Sequence, residues 1–329
     1  MSVVGLVVVT IVTAGCSANT DPEQLNTREP ETAAVSPELS AVPAGDVAAE
    51  RFGGATAVES IAIEPSTRIA AVLTDDGTSL LLSALDGNSE PRTVRLSSPG
   101  TSVSPGRDGE LLVSASDGVE VIDASSGNVT TLSVDGGAVS ATVWENGYAA
   151  GTPTGTVVIL GSDGESTAMI AGQASVDALV PAGRDLISLD TKQTSVTAVN
   201  VGAERLGAAL RAGEGATRMT GCADGAIPVA DTADDELLIF TGDDLIMRQR
   251  FPVAGAPYAL ACDDAGTVWV TTTATNEVLG FDISSGMPVE TSRFPTVRQP
   301  DSLAVDSQTG TIFVGSKTGG GVQVIRTGQ

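Results

Sequence analysis

This chain of 329 residues contains no histidine, so the residues that could do chemistry are three cysteines, two tyrosines, a few basic side chains and many carboxylates. Ser-His-Asp and Cys-His nucleophilic catalysis, histidine-ligated zinc and histidine acid/base chemistry are therefore ruled out. Carboxylates, Tyr and Lys still allow an enzyme, but they narrow its means. Cys16 follows an apolar run, whereas Cys222 and Cys262 lie deep in the chain. Too few Cys, and no His, accompany that pair to complete a metal shell, and no pattern points to a cofactor. The acidic pairs Asp75-Asp76, Asp234-Asp235, Asp243-Asp244 and Asp263-Asp264 lack the alternating acidic spacing of a calcium loop. Asp is a strong turn former, and turns are what these pairs predict. Ser125-Ser126-Gly127 and Gly319-Gly320-Gly321 precede no helix, so they read as hairpin turns rather than phosphate cradles.

The elements that must carry these residues are short β-strands. Apolar residues make up 41% of the chain but aromatics only 3%, so the core is built from Val, Leu, Ile and Ala. Many β-branched runs separated by glycine-rich turns predict an all-β protein. The clearest unit spans 255–297, with four strand-like runs in about forty residues, and its pattern recurs before and after. Seven such units run from residue 59 to the end; six or eight stay open because the second and third are ragged. Pro228 disturbs the fifth, since proline cannot donate to a ladder. The seventh unit lacks a fourth strand. A run at 47–52 precedes the first unit and is free to supply that strand, closing a ring that would otherwise leave an edge. The expected fold is a seven-bladed β-propeller of four-stranded antiparallel blades over residues 46–329.

In the repeat alignment Glu59, Asp177, Arg218, Tyr258 and Asp301 share one position, the start of the innermost strand at the mouth of a central channel. With Arg298 nearby they predict a polar pocket for a small ligand or a partner loop. They read equally well as ordinary solvated blade-entry residues. Cys222 and Cys262 also share a repeat position, at the end of the innermost strand in neighbouring units. In an oxidising compartment they predict a disulfide between blades five and six; two buried thiols are the other reading.

The net charge of −24 argues against nucleic acid, which demands clustered Lys and Arg, and favours a soluble, self-repelling monomer. Residues 1–15 read as the hydrophobic and cleavage regions of a secretion signal. The run is shorter than the roughly 18 residues needed to span a membrane. Residues 16–45, rich in Ser, Thr, Pro, Glu and Ala without apolar periodicity, predict a flexible tether.

Val12-Thr13-Ala14-Gly15-Cys16 resembles the bacterial lipobox. That resemblance implies that Cys16 carries a thioether-linked diacylglycerol and becomes the mature N-terminus. Gly255-x-Pro257, Asn276-Glu277-Val278, Phe281-Asp282 and the related Pro300-Asp301-Ser302-Leu303 resemble the YncE-like and NHL-like β-propellers. The whole is similar to actinobacterial propeller lipoproteins. The expected protein is thus anchored on the extracytoplasmic side of the cell membrane, acting as a non-catalytic binding or scaffold module for a protein or envelope component. A propeller enzyme of lyase, lactonase or dehydrogenase type, or a small-ligand sensor using the channel, is the alternative.

Overall fold

The computed structural model describes residues 25–47, 50–74, 76–242 and 244–327. The predicted signal (1–15) and Cys16 lie outside the described residues. The chain forms seven antiparallel sheets, each following chain order from its innermost strand outward. The innermost strands are Val58–Glu64, Gly100–Pro105, Ser140–Trp144, Ala178–Ala182, Ala216–Met219, Pro257–Cys262 and Pro300–Asp306. Each contacts the next around a ring, and the first also meets the seventh. The fold is a seven-bladed β-propeller.

The core is distributed between blades, not within them. A strand sends alternate side chains to opposite faces. Both faces of a blade are covered, so both sets are apolar. Leu111 packs toward blade one and Leu112 toward blade three. Likewise Leu238 packs toward blade four and Leu237 toward blade six. Ile312 faces blade six, whereas Phe313 faces blade one. One hydrophobic cluster fills each of the seven gaps, which explains why the second and third strands read as continuous apolar runs.

Pro228 lies in the second strand of blade five, Ala226–Asp231. The innermost strand opposite it stops at Met219, and only the Pro228 carbonyl is used there, accepting from Thr220 N–H at 3.1 Å. The missing donor is accommodated where the regular ladder has ended.

Blade seven contributes three strands, and the ring closes at its free edge. Asp46 N–H donates to Val324 O at 2.9 Å, and Val324 N–H returns a bond to Asp46 O at 2.7 Å. Closure from the N-terminal side matches expectation, but its location differs. The residue that pairs is Asp46; of the 47–52 run, the described residues 50–52 form a 3-10 turn, Glu50–Phe52. That turn inserts Phe52, fully buried, edge-on against Phe313 with ring centroids 5.4 Å apart. Burying one large ring at the seam wins over extending the ladder.

About two thirds of the stretch expected to be a free tether, 16–45, lies against the disc. Arg28 N–H donates to Lys192 O at 2.9 Å, and the Arg28 guanidinium pairs with Glu214 at 3.4 Å. Ser36 is buried; its hydroxyl donates to Thr273 O at 2.6 Å, and its N–H donates to Gln299 Oε1 at 3.0 Å. Asn276 Nδ2 donates to Pro37 O at 3.1 Å, and Ala44 N–H donates to Pro295 O at 2.9 Å. This strap crosses blades four to seven over the turns between second and third strands and the linkers between blades. It binds through polar atoms and backbone, so it carries no apolar period that a sequence pattern would expose.

Candidate functional site

The innermost strands enclose a central cavity of about 740 Å³. Its wall is mixed: aliphatic residues such as Ile61, Val103 and Leu179 alternate with the hydroxyl residues Ser102, Ser104 and Thr142. Its mouth is polar, set by the starts of the same strands. In several blades the innermost strand carries an extra residue at its second position, seen as register shifts at Val58/Ser60, Gly100/Ser102, Ala216/Arg218 and Pro300/Ser302. Such a bulge re-aims a side chain and twists the strand. Glu59 and Asp301 are bulge residues. In blade five the bulge residue is Thr217, so Arg218 aligns with Ser60 and Ser302, one position beyond the alignment drawn from sequence. It still lines the cavity, with Glu59, Asp177 and Asp301.

Each rim group is held by its surroundings. Glu59 pairs with Lys317, a residue the repeat alignment did not select because it lies beyond the second strand of blade seven. Asp177 accepts from Ser175 Oγ at 2.6 Å, Thr191 N–H at 2.8 Å and Thr191 Oγ1 at 2.7 Å. The Arg218 guanidinium lies 4.5 Å above the centre of the Tyr258 ring, which is itself buried and serves as a platform. Asp301 accepts from Gln299 Nε2 at 2.9 Å. Burial pushes its carboxyl up, against the opposing effects of that hydrogen bond and the Arg218 and Lys317 charges. The result is a mixed-charge collar above a shaft of mixed polar and apolar lining, suited to a ligand or side chain with a charged head.

Arg298 has another task. Its guanidinium donates to Glu38 at 2.9 Å and to Ser36 O at 3.1 Å, so it grips the strap. Beside it Gln299, which the sequence reading passed over, joins strap to rim. Its backbone N–H donates to Ser36 Oγ, and its side chain bonds Ser36 N–H, Ala34 O and Asp301. A backbone φ of 52° at a residue that is not glycine marks the position as constrained.

At the opposite end of the channel Cys222 and Cys262 are bonded, with Cα atoms 5.3 Å apart, joining blades five and six. On the strap-bearing side, carboxylate oxygens of Asp231, Asp234 and Glu236 lie within 4.8 Å of one another. Arg250 already sits among them, 2.5 Å from Glu236 and 3.4 Å from Asp234, and Asp231 accepts the N–H groups of Glu214 and Gly215. This group is an ion-pair network around one arginine.

Comparison with solved structures follows from the ring of blades. A chain of Kuenenia stuttgartiensis hydrazine synthase superposes with a TM-score of 0.71 at 12% identity, over 88% of this chain and 98% of that one. A chain of the mitotic checkpoint complex gives 0.72 at 12% identity, over 98% and 99%. U3-55K gives 0.71 at 10% identity, over 87% and 100%. The likeness is one of fold. No protein-family model matches the chain, and no curated protein matches it by sequence. Propellers host unrelated activities, so the site must carry the functional argument.

Proposed function

We propose that this protein is a lipoprotein of the extracytoplasmic membrane surface, anchored through Cys16, whose propeller is a non-catalytic binding module recognising a protein or envelope component at the channel mouth. The observation that carries the reading is the collar of Glu59, Asp177, Arg218 and Asp301 around a shaft of about 740 Å³. Its groups are fixed by neighbours before any ligand arrives, so little ordering entropy is lost on binding. The charged groups are occupied with structural partners, and the chain has no histidine, which favours recognition over proton transfer.

Affinity capture from detergent-solubilised envelope tests the binding role, with the full lipidated chain as bait and an Arg218→Ala/Asp301→Asn variant as control. A species retained by the native protein and lost with the variant is the expected result. The same set captured by both baits would sink the mouth as recognition surface. A captured small molecule that is chemically changed on incubation would favour the enzyme alternative. For the anchor, Cys16→Ser is expected to abolish incorporation of labelled fatty acid and to move the protein from the membrane to the soluble fraction.

A further inference from the structure

Resting on the lipid anchor just proposed, we infer that the strap orients the propeller: the face bearing the channel mouth is turned toward the bilayer, and the face bearing the disulfide points away. The innermost strands begin at the mouth and the second strands return to it. Turns between second and third strands, and linkers between blades, therefore open on the mouth face. The anchor points of the strap from Arg28 to Glu38 are of these kinds. Lys192 and Thr273 lie in second-to-third turns, and Glu214 and Gln299 lie in linkers. Asn26, near the start of the described chain, shares the lining of a surface cavity with Gln173, Gln193 and Arg211 at the rim of blade four.

Geometry then limits where the disc can go. From Cys16 to Leu25 there are nine steps of chain, which span at most about 30 Å. Were the whole of 16–45 free, about 100 Å of chain would separate anchor and disc, and no face would be preferred. A six-residue strand is about 20 Å long. Placing the disulfide face against the bilayer would force the leader to descend that distance beside the disc, using most of its reach. Placing the mouth face there uses almost none. Ligands that reach the collar are then those displayed at the bilayer surface, such as lipid-linked head groups or juxtamembrane segments.

Site-directed fluorescence on vesicles tests this. Cys222 and Cys262 are bonded and Cys16 is acylated in the proposed form, so an introduced cysteine is the single thiol for a donor dye. Ala233→Cys places the dye on an exposed second-to-third turn of the mouth face, and Ser285→Cys on an exposed third-to-outer turn of the opposite face. The lipidated full chain is bound to phosphatidylcholine vesicles containing a rhodamine-headgroup lipid as acceptor. Transfer is expected to be at least twofold more efficient from position 233 than from 285. Freeing the strap with Ser36→Ala/Gln299→Ala is expected to shrink that difference while the protein still floats with the vesicles. Equal or reversed transfer from a vesicle-bound protein overturns the orientation and leaves the anchor standing. A native chain that is not acylated and does not float overturns the anchor, and the orientation with it.

Discussion

Glu64 shows how much a single buried carboxylate can hold in this fold. It is 1% exposed at the end of the first strand of blade one, and it accepts from Ser66, from Thr67 and from Gly109 N–H in the neighbouring blade. Burial alone would raise its pKa, but these hydrogen bonds outweigh it and hold the group down from 4.5 to about 2. A depressed carboxylate stabilises the fold above its unfolded pKa and loses that contribution as pH falls through the folded value. Glu64→Gln should therefore be less stable than the native protein at pH 7. The gap should narrow between about pH 4.5 and pH 2 in chemical denaturation series. Phe52→Ala should cost about 3–5 kcal/mol, read from the same curves, because it empties a fully buried site beside Phe313. Cys222 and Cys262 could be paired from sequence because a repeat position fixes both ends of such a bond. Nothing comparable marked Glu64 or Gln299, whose partners mix nearby hydroxyls and carboxylates with backbone groups of distant segments.

At the scale of elements, the strap and the disulfide hold different parts of the ring. Gln299→Ala removes the contacts joining Ala34, Ser36 and Asp301. Hydrogen exchange at 34–36 should speed up at least tenfold while protection inside the blades is unchanged, since local opening needs only those bonds to break. The bond between Cys222 and Cys262 spans 40 residues. Chain-entropy arguments give it about 4 kcal/mol, and reduction should lower the unfolding midpoint accordingly. The strands were legible because alternation and turn residues report a covered sheet directly. The boundary at 46 was not, because a segment that docks through carbonyls and hydroxyls resembles in composition one that docks nowhere. The one-residue offset at Arg218 arises because the charged residue of blade five stands one place after the bulge, where blades one and seven have serine.

For the whole molecule, seven similar interfaces share the load, and the fold was readable because the same forty-residue pattern had to satisfy all of them. The site was less readable, since its collar depends on neighbours such as Lys317, which stands just after a second strand where blades three to six have threonine. With a net charge of −24, self-repulsion weakens the compact state. Raising ionic strength from about 10 mM to about 150 mM, which shortens the screening length to about 8 Å, should raise the thermal midpoint. The pairing of Asp46 with Val324 joins positions 278 apart in sequence, far more than any hairpin in the blades. A random coil would meet that demand slowly. Blades that form first would make a stiff arc holding both ends near one place, so closure at Asp46 is expected to be the last step, read as the latest amide protection there in pulse-labelled refolding.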